Sequence, residues 1–108
     1  MSDVIIGKGS LAGKGVYAGR NFNKGEVVIQ YQLKPLAEDE YKKLPESERL
    51  FTHSHWGTIY LYSEPERYVN HSKHPNTYQD LAKKCDIALQ GIEKGEAITG
   101  DATKDDVA

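Results

Sequence analysis

The sequence has little of what marks a secreted, disulfide-bonded or membrane-spanning protein. It contains one cysteine, Cys85, so no disulfide can form within the chain, which is typical of a reducing compartment. No run approaches the roughly 20 apolar residues that a membrane span needs. The first residues, MSD, lack the basic and apolar regions of a secretory signal. We therefore predict a cytoplasmic protein that does not insert into membranes.

Basic residues are not in excess either. Lys and Arg number 14 against 16 for Asp and Glu, which gives a formal net charge of -2. Sequence-independent binding to nucleic acid needs clustered Lys and Arg that displace counterions, so direct binding to nucleic acid is not expected. A basic protein or peptide is the more natural partner.

The length of 108 residues predicts one compact domain with a modest core. Apolar runs separated by glycine turns predict strands at residues 4–6, 16–18, 27–31, 58–62 and 87–89. The first three of these strands are predicted to form a β-meander. Good helix formers, interrupted by Pro45, predict a short helical insert around residues 37–52. The chain is therefore predicted to be mostly β.

Two segments of the chain resemble each other, residues 23–29 (NKGEVVI) and residues 93–99 (EKGEAIT). Each is a Lys-Gly-Glu turn that leads into an apolar strand, and glycine supplies the positive φ that a tight turn needs. Two copies do not make a solenoid, since a repeat protein needs roughly three or more units. We interpret the segments as two turns of one sheet system.

Two other segments are candidates for a functional site. Residues 13–18 (GKGVYA) contain a Gly-x-Gly, which on local chemistry alone is most often a tight turn between strands. A dinucleotide-binding loop is excluded because a β-branched run, not a helix, follows it. Residues 67–76 (RYVNHSKHPN) form a polar, irregular stretch. Its backbone is held either by side-chain hydrogen bonds or by a ligand, and the sequence leaves both open.

The histidines and the cysteine raise two further kinds of site. Zinc favours His and Cys ligands at short spacings, and the pairs His53/His55 and His71/His74 have such spacings. Paired cysteines and a His-Glu-x-x-His helix are both absent from the sequence, so a zinc site is a minor alternative. Cys85 begins an apolar strand and is expected to be a small buried hydrophobe rather than a nucleophile.

Taken in order, four segments resemble the signature of the SET domain, the scaffold of protein-lysine methyltransferases. They are residues 13–18 (GKGVYA), 24–26 (KGE), 67–76 (RYVNHSKHPN) and 95–99 (GEAIT). The Asn-His-Ser-x-x-Pro-Asn element is the specific part, and the chain is especially similar to the small bacterial and viral SET proteins. The resemblance implies a single minimal SET domain over residues 1–108. Its fold would be a β-clip-like set of small sheets with a C-terminal pseudoknot, and it would lack the zinc-binding tail of larger relatives.

The resemblance also implies a reaction, the transfer of a methyl group from S-adenosylmethionine to a lysine of a protein substrate. Lys14, Gly15 and Tyr17 would bind the cofactor along the Gly-x-Gly segment. Asn70 and His71 would bind its adenine end from the pseudoknot. Alignment of donor and acceptor can supply much of the rate of such a transfer. The lysine must lose its proton, so an apolar channel walled by tyrosines is expected.

The last motif departs from the family pattern. The final tyrosine, which in the family orients the lysine amine, is Ala102 here, and an earlier position that is often aromatic is Gly100. Alanine has neither a hydroxyl nor a ring. By motif position, Tyr78 and Tyr31 are weak candidates to replace the catalytic tyrosine. The alternative function is a catalytically impaired SET-fold module that still binds cofactor or peptide. The small size of the domain also suggests a homodimer.

Overall fold

The computed structural model describes residues 3–104, and strands dominate it. The strands are β1 Val4–Leu11, β2 Lys14–Ala18, β3 Val27–Gln30, β4 Lys34–Leu36, β5 Thr52–His55, β6 Thr58–Leu61, β7 Asn70–His71, β8 Thr77–Asp80, β9 Cys85–Ala88 and β10 Ala97–Gly100. The helices are α1 Glu38–Lys43 and α2 Glu46–Arg49, and 3-10 turns cover Glu66–Tyr68 and Ala102–Lys104. The prediction of a mostly β domain is confirmed.

The strands form three small sheets, with the orders β1-β2-β10-β7, β3-β9-β8 and β4-β6-β5. Strands β1 and β2 are an antiparallel hairpin, as expected of neighbours in sequence. Strand β3 leaves this hairpin and pairs with β9, so the predicted β-meander is wrong. The physical reason is that β10 returns from the C-terminal part of the chain and occupies the edge of β2 that β3 would have needed.

The predicted helical insert is present, but it is shorter than residues 37–52. Helix α1 has acidic residues in its first turn and lysines in its last, which suits the helix dipole, and Pro45 precedes α2. Neither helix contains a buried residue, so the insert lies on the surface. Residues 52–55 form strand β5 instead of helix. No helix among residues 3–104 is long and apolar enough to cross a membrane.

The two Lys-Gly-Glu turns have the same geometry. Gly25 and Gly95 have φ of +89° and +93°, and the glutamate after each glycine accepts the N–H of the residue three positions earlier, at 2.8 and 3.1 Å. The first turn leads into β3 and the second into β10, which are strands of two different sheets. A bridge between Phe22 and Ile92, both buried, joins the two turns through the core.

Strand β10 lies between two strands that precede it in sequence. It pairs antiparallel with β2 through Ala97 and Ile98 and parallel with β7 through Thr99 and Gly100. Ile98 has no solvent exposure. This insertion of the last strand between earlier ones agrees with the C-terminal pseudoknot that the resemblance implies.

Asn76 and Thr77 fix β10 from the side. The Asn76 Nδ2 donates to the Ala97 carbonyl at 2.8 Å, and the Asn76 Oδ1 accepts the Thr99 N–H at 2.9 Å. The Thr77 hydroxyl donates to the Thr99 carbonyl at 2.7 Å. Asn76 and Thr77 are both buried, and a buried polar group that loses its partner costs more than an exposed one. These bonds therefore stabilise the position of β10 strongly.

Replacing Asn76 with alanine should destabilise the fold by about 2 kcal/mol, because two backbone groups of β10 lose buried partners. Urea unfolding measures this loss. The matched control is Asn21→Ala, since the Asn21 Oδ1 also accepts a backbone N–H, that of Lys94 at 2.7 Å, but at an exposed position. The control should lose less than about 0.5 kcal/mol. Equal losses in the two variants would contradict the role given to Asn76.

Candidate functional site

The first glycine of the Gly-x-Gly segment, Gly13, lies in the turn of the β1–β2 hairpin, and Lys14 and Gly15 begin β2. Leu11 faces Lys14 across the hairpin, and the two residues between them, Ala12 and Gly13, have φ of +53° and +79°, as in the tight turns that join twisted strands. At Gly13 an added Cβ would meet no heavy atom within 4 Å. The expected tight turn is therefore present, and its surface is open to a ligand that approaches the backbone.

Asn70 joins this turn to strand β7. Its Nδ2 donates to the carbonyl oxygens of Lys14 (3.1 Å) and Tyr68 (2.7 Å). Its Oδ1 accepts the N–H and the hydroxyl of Ser10, at 2.8 and 2.6 Å. The amide thus uses both donors and both acceptor positions within the protein, and an added Cβ at Gly15 would lie 3.2 Å from its Nδ2. Asn70 positions the hairpin backbone, and direct contact with adenine stays a prediction.

Tyr17 and Lys14 lie on β2 with their side chains committed to the protein. The Tyr17 hydroxyl donates to the Lys8 carbonyl at 2.6 Å. The Lys14 Nζ lies 5.0 Å from the centre of the Tyr68 ring, a cation–π contact. Gly15, between them, has no side chain. Lys14 is exposed, Tyr17 is partly buried and Gly15 is buried, and their contact with a cofactor stays a prediction.

His71 reaches the last motif of the chain. Its Nδ1 accepts the Ala102 N–H at 3.0 Å and lies 3.9 Å from the Asp101 Oδ1. Hydrogen bonds from the side chain and the backbone of Thr103 lower the pKa of Asp101. His71 thereby fixes the backbone at the position where the resemblance expects a tyrosine.

A cavity of about 140 Å³ lies beside this motif. Gly100 and Ala102 line it without contributing a ring, and His71 forms another part of the wall. Tyr31 and Tyr62 also line the cavity, and their ring centres are 5.5 Å apart. The structure thus places Gly100 and Ala102, the two positions that differ from the family pattern, in the same cavity wall as two aromatic side chains.

Tyr31 and Tyr78, the proposed replacements for the missing tyrosine, are placed differently. Tyr31 is buried and lines the cavity, whereas Tyr78 is 43% exposed and is not among the lining residues. Gln79, the neighbour of Tyr78 on β8, does line the cavity. Side chains alternate between the two faces of a strand, so Tyr78 lies on the opposite face. Of the two candidates, Tyr31 therefore lies at the cavity and Tyr78 does not, and a catalytic role for either stays a prediction.

Sequence reasoning missed two buried carboxylates in the cavity wall, Glu66 and Asp86, which are 5% and 2% exposed. The Tyr31 hydroxyl donates to the Asp86 Oδ1. The Glu66 Oε2 accepts the Gln32 N–H at 2.6 Å, whereas its Oε1 has no hydrogen-bond partner among residues 3–104. Burial raises the pKa of Glu66, and the backbone N–H groups of Gln32, Glu66 and Ser63, together with the Arg67 charge, oppose this only in part. The wall of this cavity therefore includes two buried carboxyl groups.

One of these carboxylates, Asp86, could have been identified from the sequence. Asp86 interrupts an apolar run and lies in β9, a strand whose four residues are all buried, and a buried charge requires a partner. Glu66 lies in an irregular stretch with no periodicity, so only the packing of the 3-10 turn Glu66–Tyr68 reveals its burial.

The remaining histidines and Cys85 do not form a second centre. No group of three or more His, Cys, Asp or Glu side chains in residues 3–104 is placed to hold a metal ion. His55 is buried, and its Nε2 lies 2.9 Å from the Tyr62 hydroxyl. Burial raises the pKa of the Cys85 thiol, so the thiolate that a nucleophile needs is disfavoured.

The buried carboxylate of Glu66 should leave a pH signature in the stability of the protein. Because its folded-state pKa is raised, the stability that Glu66 contributes is fully present below its ordinary pKa of 4.5. That stability is lost as pH rises through the folded-state value. Glutamine does not titrate, so the melting temperature of Glu66→Gln relative to the unsubstituted protein should increase from about pH 4 to about pH 8.

Thermal melts at several pH values measure this difference. The control is Glu38→Gln, whose side chain is 85% exposed and whose relative melting temperature should change little with pH. If the melting temperature of Glu66→Gln relative to the unsubstituted protein stays constant or decreases with pH, then burial of the Glu66 carboxylate does not destabilise the folded protein.

Comparisons with known proteins address the fold and the family. The family model of the SET domain matches residues 13–101, and no curated protein matches the chain. The crystal structure of a histone methyltransferase candidate from Plasmodium falciparum has a TM-score of 0.72 at 20% identity, covering 94% of this chain and 93% of that one. A humanized mutant of the Chaetomium thermophilum Polycomb Repressive Complex 2, bound to the inhibitor GSK126, has a TM-score of 0.71 at 22% identity. The similarity covers 94% of this chain and 15% of that one.

The structural likeness at these identities shows a shared fold, and the family match adds the motifs. The matched segment runs from the hairpin turn at Gly13 to Asp101, so it includes the contact between Asn70 and Lys14 and all of β10. The chain belongs to the SET domain family.

Proposed function

We propose that the protein transfers a methyl group from S-adenosylmethionine to a lysine of a protein substrate. The observation that carries this proposal is the hydrogen bond of 3.1 Å between the Asn70 side chain and the Lys14 carbonyl, which joins segments 56 residues apart in sequence. It holds the open glycine turn beside the strand that carries His71. Membership in the SET domain family supports the class of reaction.

The residues around the turn fit a cofactor that is bound along the backbone. Gly13 leaves the surface of the turn uncovered, and we propose that Lys14, Gly15 and Tyr17 contact the cofactor along this segment. Asn70 and His71 are positioning residues, since one holds the hairpin turn and the other holds the backbone of the last motif. When bound, S-adenosylmethionine supplies an electrophilic methyl group, and alignment with the lysine amine provides much of the rate.

The partner we propose is a basic protein or peptide that carries the acceptor lysine. The net charge of -2 and the acidic cavity both favour a cationic substrate over nucleic acid or a membrane surface. A cytoplasmic location and a homodimer belong to the same proposal, as expectations from composition and size.

Calorimetric titration with S-adenosylmethionine and S-adenosylhomocysteine tests the cofactor site. Binding in the micromolar range, about -8 kcal/mol, is expected. Asn70→Ala should weaken it by about tenfold, because the turn loses its link to β7. Asn21→Ala, a substitution of an exposed asparagine, should leave it unchanged. A folded protein that binds neither compound would overturn the proposed use of S-adenosylmethionine.

The second candidate function is a SET-fold module that binds cofactor or peptide with impaired catalysis. The observation that favours it is the exposed Ala102 at the cavity, together with the commitment of the two cavity tyrosines. The Tyr31 hydroxyl donates to Asp86, and the Tyr62 hydroxyl bonds to His55. Both hydroxyls are therefore already hydrogen-bonded within the protein and are not available to orient a lysine amine.

Restoring the ring at position 102 distinguishes the two candidates. If catalysis is impaired, Ala102→Tyr should raise the methylation rate of a basic lysine peptide by about a hundredfold, the range of a well-placed polar catalytic group. Ala102→Phe is the control, because it supplies a ring without a hydroxyl and should give a much smaller gain. An Ala102→Tyr variant that binds cofactor but gains nothing would contradict the impaired-catalysis candidate.

A further inference from the structure

Two residues near the end of strand β1, Gly9 and Ser10, lie against the start of β2 and against Asn70. The Gly9 N–H donates to the Gly13 carbonyl at 3.2 Å, whereas the Ser10 N–H donates to the Asn70 side chain. Both residues precede Gly13, where the match to the SET domain family begins. The family match therefore gives no role to either of them.

Gly9 is a glycine for reasons of space. Its φ is not positive, so the backbone conformation alone does not require glycine. A Cβ added at Gly9 would lie 2.6 Å from the Gly15 nitrogen and closer still to the Lys14 carbonyl oxygen. A Cβ added at Gly15 would lie 3.2 Å from the Asn70 Nδ2. The peptide group that joins Lys14 and Gly15 is therefore packed closely against both Gly9 and Asn70.

The backbone groups around Asn70 leave its amide one orientation. The Ser10 N–H can only donate, so the atom that it meets at 2.8 Å must be the amide oxygen. The carbonyls of Lys14 and Tyr68 can only accept, so the atom that faces them must be the nitrogen. A flipped amide would set donor against donor and acceptor against acceptor. Ser10 and Lys14 are thus linked through the two ends of one amide group.

The Ser10 hydroxyl provides a second bond to the same amide oxygen, at 2.6 Å. Because that oxygen only accepts, the hydroxyl has to donate its single hydrogen to it. Ser10 is exposed, so the hydroxyl contributes through this bond and not through burial. It acts on the hairpin turn by way of Asn70, which donates to the Lys14 carbonyl.

We infer that Ser10 is a positioning residue of the cofactor site, which holds the Asn70 amide against the Lys14 carbonyl and so fixes the open turn at Gly13. Gly9 permits this arrangement, since a side chain there would displace the peptide group after Lys14. The inference rests on the proposed function, because this is the turn that we propose to bind S-adenosylmethionine. It adds to the site a residue that lies outside the family match.

The first test follows the side-chain amide signals of Asn70 by proton–nitrogen NMR, without cofactor. Both amide hydrogens are bonded to carbonyls, so their exchange with water should be slow. Ser10→Ala should speed this exchange about threefold to tenfold, the range for losing one neutral hydrogen bond, and should shift the backbone signal of Gly13. Ser10→Thr keeps the hydroxyl and should restore the original signals. Unchanged exchange in Ser10→Ala would overturn the inference.

The second test is calorimetric titration of the same variants with S-adenosylmethionine. Ser10→Ala should weaken binding about threefold to tenfold, and Ser10→Thr should bind like the unsubstituted protein. The matched control is Ser63→Ala, because the Ser63 hydroxyl also makes a hydrogen bond, to the Gln32 carbonyl, but does not contact Asn70. The control should bind like the unsubstituted protein. Equal affinities for Ser10→Ala and the control would contradict a positioning role.

A double substitution shows whether Ser10 acts through Asn70. If it does, adding Ser10→Ala to Asn70→Ala should cause no further loss of affinity, since the two side chains form one interaction. Losses that add would overturn the inference. The exchange measurement decides the question if Asn70→Ala fails to fold. If the unsubstituted protein binds no S-adenosylmethionine, the proposed function fails, and that same measurement still decides whether Ser10 holds Asn70.

Discussion

The arrangement of the whole domain depends on the seating of strand β10 between β2 and β7. That seating joins the C-terminal part of the chain to the first hairpin on one side and to the Asn70–His71 strand on the other. It is held by buried side chains as well as by strand pairing, because the Asn76 amide bonds to β10 as a neighbouring strand would. Gly100, at the end of β10, lies in the cavity wall, so the position of β10 also determines part of that wall.

The two regions of the site are therefore coupled through one strand. Strand β10 pairs first with β2 and then, from Thr99 onward, with β7. The Asn70 side chain donates to the Lys14 carbonyl, which lies beyond the part of β2 that pairs with β10. The residues at the end of β10, Gly100 and Ala102, continue into the cavity wall. His71 fixes the backbone directly after β10 by accepting the Ala102 N–H. A ligand on the hairpin turn and a ligand in the cavity would thus both contact parts of the protein that β10 orders.

Much of this fold could be predicted from local sequence, and the rest depended on packing. The turns at Gly25 and Gly95 could be predicted because a backbone position with positive φ is usually occupied by glycine. The predicted β-meander failed because β3 pairs with β9, and no local pattern reveals such long-range pairing. The proximity of Lys14 and Asn70 followed from the family resemblance, whereas the use of the Asn70 amide within the protein did not. Glu66 escaped sequence reasoning altogether, since a glutamate in an irregular stretch is usually exposed.

The acidic cavity also bears on how fast a methyl group could be transferred. Transfer needs the neutral amine, but carboxylates such as Glu66 and Asp86 stabilise the ammonium form and so raise the pKa of a bound lysine. The absence of a ring at Gly100 and Ala102 acts in the same direction, because it removes groups that would orient the free amine. Both features would slow the transfer of a methyl group to a bound lysine. If this SET domain methylates its substrate, it is expected to do so slowly, with a rate that increases with pH as the free amine becomes more populated.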